Sequence, residues 1–102
     1  MRYIDTHTHL DFPAFDDDRE QVLARCRSLG INRLVVLGVS RSNWQRVWSL
    51  AENEPAIHAA LGMHPVFLEE HQQEHLAELH ERLAAVARHP KCCAVGEIGL
   101  DY

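Results

Sequence analysis

His7 and His9 stand two residues apart in Asp5-Thr6-His7-Thr8-His9-Leu10-Asp11. In an extended segment residues i and i+2 project to the same side, so the pair can present two imidazoles to one cation. Asp5 lies two residues before His7 on that face and is a candidate for orienting an imidazole from behind. Glu97 sits in the otherwise apolar run Cys92-Cys93-Ala94-Val95-Gly96-Glu97-Ile98. A carboxylate there must be paired or bound to a cation, or else lie beyond the strand end and point into solvent. The flanking Gly96 and Gly99 permit close backbone approach and favour the first alternative. His64, in Gly62-Met63-His64-Pro65, either closes a turn before the proline or joins the same site. The chemistry available to such a set is the binding of a divalent cation.

The sequence has 8 histidines in all, and the other five read as scaffold. His58, in mid-strand, is expected as a satisfied interior histidine. His71 and His75 have i, i+4 spacing but lack the glutamate beside the first histidine that a zincin helix carries. With His80 and His89 they read as solvated helix positions. Asp16, Asp17 and Asp18 resemble a cation cluster but precede a helix, where carboxylates cap amides and favour the dipole. Cys26, Cys92 and Cys93 are odd in number and form no Cys-x-x-Cys, so they are expected as reduced, small, buried side chains.

Four apolar runs alternate with three stretches of helical period, and these must position the site. The first run is Tyr3-Ile4-Asp5-Thr6. Val22, Cys26 and Leu29 then mark a helix that stops at Gly30. Leu34 to Val39 is a continuous branched-aliphatic run, the pattern of a strand buried on both faces. Ser42 is the expected N-cap of a second helix, with Trp44, Val47, Trp48 and Ala51 as its apolar stripe and Pro55 at its end. Ile57 to Leu61 is the third strand. Leu76, Leu79, Leu83 and Val86 outline a third helix stopping near His89-Pro90. The fourth strand runs from Cys92 to Ile98. Right-handed crossovers make all four strands parallel, and strand C-terminal ends are where parallel α/β folds build their sites. His9, His64 and Glu97 all fall at such ends.

The 102 residues suffice for one core. No run approaches the roughly 18 to 20 apolar residues of a membrane crossing, and the N-terminus lacks a signal-peptide apolar region, so the expected address is the cytoplasm. A formal charge of −5 disfavours a broad phosphate-gripping surface.

Three segments, Ile4-Asp5-Thr6-His7-Thr8-His9-Leu10-Asp11, Ala60-Leu61-Gly62-Met63-His64-Pro65 and Ala94-Val95-Gly96-Glu97-Ile98-Gly99-Leu100-Asp101-Tyr102, resemble the TatD family of metal-dependent deoxyribonucleases in motif and order. The resemblance implies an α/β fold, the first half of a (β/α)8 TIM-type barrel of about 250 residues. Residues 1–102 would be the N-terminal part of that one domain. It implies two divalent ions, Mg2+, Zn2+ or Mn2+, with His7, His9 and Glu97 as ligands and His64 in the substrate pocket. The family's two later histidines and its general-base aspartate belong to the second half, so no catalytic base is expected within these residues. The implied substrate is DNA, at single-stranded ends. The metals would carry the positive charge that a −5 chain lacks. Two alternatives differ in kind: an amidohydrolase-like enzyme for another phosphoester or amide, and a non-catalytic half barrel that self-associates through exposed edge strands. A complete four-stranded binding module has only the length in its favour.

Overall fold

A computed structural model describes residues 2–100. Asp101 and Tyr102, the end of the third motif, lie outside the described residues. Strands β1 (Tyr3–Thr8), β2 (Ile31–Leu37), β3 (Ile57–Leu61) and β4 (Cys92–Val95) alternate with helices α1 (Arg19–Ser28), α2 (Arg41–Asn53) and α3 (Gln73–Val86). Short 3-10 turns, Pro13–Phe15 and Pro65–Glu70, follow β1 and β3. All strand pairs are parallel, in the order β1-β2-β3-β4.

That order distinguishes an open doubly wound sheet from part of a barrel. A doubly wound sheet reverses its order at a switch point, whereas strictly sequential order keeps every helix on one face, as a barrel requires. The core agrees. Leu34 and Val36 of β2 and Ile57, Ala59 and Leu61 of β3 form one buried cluster with Leu23 of α1, Trp44, Val47 and Ala51 of α2, and Leu79 of α3. The fold is the first half of a (β/α)8 barrel. On the edge strands Tyr3, Ile4 and Val95 are exposed. No helix among the described residues is long and apolar enough to cross a membrane.

Local chemistry accounts for the element ends. Gly30 takes φ 89°, a left-handed conformation that side-chain-bearing residues resist, and its N–H closes α1 on Arg27 O at 3.1 Å. Trp44, fully buried, donates its indole N–H to Gly62 O at 2.8 Å, so its polar atom is satisfied and α2 is pinned to the end of β3.

Several sequence expectations need correction. The N-cap of α2 is Ser40 and not Ser42, because Asn43 Oδ1 accepts the N–H groups of Val39 at 2.9 Å and Ser40 at 3.2 Å, starting the helix earlier. Asp18 holds the N-cap of α1, but its side chain makes no capping bond. Asp16 instead accepts from Arg19 at 3.0 Å and pairs with Arg46. Strand β4 stops at Val95, short of Ile98, because the chain leaves the ladder to cross the end of β3. Leu76 is exposed, since α3 reaches the core only through Leu79 and Leu83. Of the free cysteines none is fully buried, and Cys93, on edge strand β4, is exposed.

Candidate metal centre

Where β1 ends, the loop that carries His9 onward is clamped from beneath. Arg19, on the first turn of α1, donates to Leu10 O at 2.6 Å, Asp11 O at 3.2 Å and Phe12 O at 3.1 Å. Asp11 is buried and accepts from Asn43 Nδ2 at 2.9 Å. Burial pushes the Asp11 carboxyl above its ordinary pKa, and the Asn43 bond offsets part of that rise. The amide of Asn43 thus ties the β1 loop to the start of α2. The His9 ring stacks on Phe12 with centroids 5.0 Å apart.

At the ends of the inner strands, carbonyls of β2 and β3 capture the chain that follows β4. Gly96 N–H donates to Leu61 O at 2.9 Å and Glu97 N–H to Gly38 O at 2.8 Å. Glu97 is thereby carried across β3 toward the middle of the sheet. Gly62 makes room for this crossing: a Cβ at position 62 would stand 2.5 Å from Gly96 C and 2.8 Å from Glu97 N. The residue type at 62 follows from the path of residues 96 and 97, a link the sequence does not display.

The crossing brings together residues from three strand ends. Glu97 Oε2 lies 3.2 Å from His7 Nε2 and 3.5 Å from His9 Nε2. Neither approach is a hydrogen bond, and among the described residues Oε2 is a buried acceptor without one. The other oxygen, Oε1, lies 2.8 Å from His64 Nε2. His64 Nδ1 accepts the Val66 backbone N–H at 2.9 Å, so the neutral ring carries its proton on Nε2, facing Glu97. The two carboxylate oxygens are thus in different chemical settings. Oε1 stands beside the His64 ring, and Oε2 is left between two imidazole nitrogens.

Ligand atoms of His7, His9 and Glu97 lie within 4.8 Å of one another, a spacing suited to one cation in their midst. The orphaned Oε2 supports that fit, because an unpaired buried carboxylate oxygen costs about 1–3 kcal/mol or more unless something binds it. Neutral imidazoles and a carboxylate match zinc, manganese or cobalt in ligand character. His64 stands beside this group as a donor. Asp5 Oδ1 accepts the His7 backbone N–H at 3.1 Å, so its recorded bond is to the main chain.

The remaining histidines fall elsewhere. His58 lies on β3 near Lys91 and Arg33, half-buried, its pKa lowered chiefly by burial and then by those two cations. His75 lies in the first turn of α3, where Nδ1 accepts Gln72 N–H at 3.3 Å, and His89 packs edge-on to Trp48. His71 corrects its sequence reading. It precedes α3, is half-buried, and its Nε2 lies 2.8 Å from His64 O.

The chain is similar to known proteins over nearly its whole length. Residues 4–102 match the family model described as TatD related DNase. The chain is 46% identical over 101 residues to the uncharacterized metal-dependent hydrolase YjjV of Escherichia coli, covering 98% of this chain and 38% of that protein. It is 38% identical to the uncharacterized metal-dependent hydrolase YabD of Bacillus subtilis, covering 96% of this chain and 37% of the relative. It is 30% identical to the 3'-5' ssDNA/RNA exonuclease TatD of Pantoea vagans, over 96% of this chain and 36% of that enzyme. The crystal structure of YjjV superposes with a TM-score of 0.90 at 45% identity, over 98% of this chain and 38% of its own. The chain therefore spans under two-fifths of the length of these relatives.

Proposed function

Since the chain belongs to the TatD-related DNase family, we propose that it forms the first-half portion of a metal-dependent hydrolase of phosphodiester bonds in single-stranded nucleic acid. The observation that carries this reading is Glu97 Oε2, buried and unpaired between the Nε2 atoms of His7 and His9. A divalent cation held there would polarise water and neutralise the phosphate, which also lets a chain of net charge −5 accept DNA.

The chain's own residues divide the remaining work. His7 and His9 offer Nε2 lone pairs, and Glu97 offers Oε2 while its Oε1 faces His64. With Nδ1 accepting from Val66 N–H, the neutral His64 ring offers an Nε2–H beside the ligands, suited to hold a phosphate oxygen once Glu97 turns to a cation. A second cation, further ligands and the general-base aspartate are assigned to parts of the protein outside these residues. The single domain that the resemblance implies would be completed by them.

Replacing Glu97 with Gln tests the assignment. It keeps the volume and removes the charge, so Zn2+ or Mn2+ affinity measured calorimetrically is expected to fall at least about a hundredfold, beyond the usual loss for a residue behind a ligand. In the full-length protein, cleavage of single-stranded DNA falls with it. Unchanged metal affinity would defeat the reading. One observation favours a second: the relatives at 46% and 38% identity are known only as metal-dependent hydrolases. A panel of single-stranded DNA, RNA and small phosphoesters and amides under one metal separates an exonuclease from a hydrolase of smaller substrates.

A further inference from the structure

We infer that His71 is a positioning residue whose ring latches the segment from His64 to His71 and thereby fixes His64 as a single tautomer with its Nε2 beside Glu97. The inference rests on the hydrolytic reading for its purpose, but its geometry stands alone. His64 is held at each of its polar groups. Its N–H donates to Val39 O at 2.7 Å, its Nδ1 accepts from Val66 N–H at 2.9 Å, and its carbonyl lies 2.8 Å from His71 Nε2. A carbonyl only accepts, so His71 must carry a proton on Nε2.

The cost of this arrangement shows where it matters. His71 Nδ1 is buried without a hydrogen-bond partner among the described residues. A ring placed only for packing would be expected to turn that atom to water, since burial of an unpaired acceptor is unfavourable. Here the position of Nε2 against His64 O is kept despite the orphaned Nδ1. The 3-10 turn Pro65–Glu70 between the two histidines is short, and its exposed Val66 and Leu68 anchor it poorly. Phe67 meets the His64 ring edge-on at 5.6 Å, and His71 N–H closes the turn on Leu68 O at 3.1 Å. The ring of His71 is the side-chain bond that ties the far end of the turn back to His64. With His64 so held, its Nε2 stays 2.8 Å from Glu97 Oε1.

The test compares two amides that differ in reach. The side-chain nitrogen of Gln can occupy the place of a histidine Nε2, whereas that of Asn reaches only as far as Nδ1. His71→Gln and His71→Asn are therefore made in this chain, with histidine nitrogens followed by NMR. In the parent and in His71→Gln, His64 is expected to be a single Nε2–H tautomer with slow exchange of that proton. In His71→Asn the Nδ1–H form appears and exchange quickens about three- to tenfold, the equilibrium effect of losing one hydrogen bond. Backbone amide spectra establish that both variants fold. Equal His64 tautomer and exchange in the two variants would overturn the proposal. A parallel Zn2+ titration of the parent chain keeps the two ideas apart: absence of binding sinks the metal reading, and the His64 measurement is decided without it.

Discussion

The two ends of the sheet treat polar atoms in opposite ways. At the N-terminal end, Lys91 donates to Glu54 O at 2.9 Å, Pro55 O at 2.9 Å and Ile57 O at 2.7 Å, so all three ammonium donors meet carbonyls. At the C-terminal end lie the buried side-chain atoms that lack partners among the described residues: Thr8 Oγ1, His9 Nδ1, Asp11 Oδ1, His71 Nδ1 and Glu97 Oε2. Unpaired buried polar atoms are rare in folded proteins, and their concentration at one end marks where a ligand is expected. A cleft of about 660 Å³ opens at the N-terminal end, lined by Arg27, Arg33, His58 and Lys91 among others. Its lining carries no carboxylate, and its lysine is already saturated. Its chemistry thus differs from that of the candidate site.

The largest effect should come from the position that serves the site through the backbone. Gly62→Ala places a methyl group 2.5 Å from Gly96 C and 2.6 Å from Glu97 O, with only main chain in the way. Overpacking of this kind costs about 1–3 kcal/mol, and relief requires Glu97 to move off His7 and His9. Denaturant unfolding should show the loss of stability, and Zn2+ titration a loss of affinity comparable to that of Glu97→Gln. Unchanged affinity would show that Gly62 does not govern the placement of Glu97. Lys91→Met is the matching experiment at the other end. It keeps the apolar stem and removes the charged donors, and is expected to cost about 2 kcal/mol of stability, the scale of a hydrogen bond to a charged group. Its Zn2+ affinity should equal the parent's. A fall there would couple the two ends and break the contrast.

The same contrast explains what could be read from the sequence. The spacing of His7 and His9, the carboxylate inside the apolar run of residues 92–98 and the histidine before Pro65 are local patterns, and local patterns survive in one dimension. The supports of the site are not local. Asn43 reaches Asp11 across 32 residues, and the need for Gly62 is set by a peptide 34 or more residues later. Helical spacing misled at His71, where the i, i+4 relation to His75 suggested one helix face. A 3-10 turn beginning at Pro65 and an N-cap at Gln72 separate the two rings instead. The strand boundary at Val95 was hidden for a similar reason: Ile98 continues the apolar pattern, but the carbonyls of Leu61 and Gly38 take the N–H groups of Gly96 and Glu97 and end the ladder.

The smallest expected effect concerns His58 and tests whether the N-terminal end is structural through and through. Burial lowers its pKa below the usual 6.5, with Lys91 and Arg33 adding like-charge repulsion and a backbone bond at Ala56 opposing them. The unfolded chain therefore takes up this proton first as pH falls. The contribution of His58 to stability is present above pH 6.5 and is lost as pH drops from there through its lowered folded value. His58→Gln removes that proton from the balance. Its stability, measured by denaturant unfolding, should fall less steeply than the parent's over this window, by at most about 1.4 kcal/mol per pH unit, the slope of one full proton. Subtracting the two curves cancels every other titrating group common to both chains. Identical slopes would mean that His58 titrates alike folded and unfolded, so that burial and the two cations together have no net effect on it.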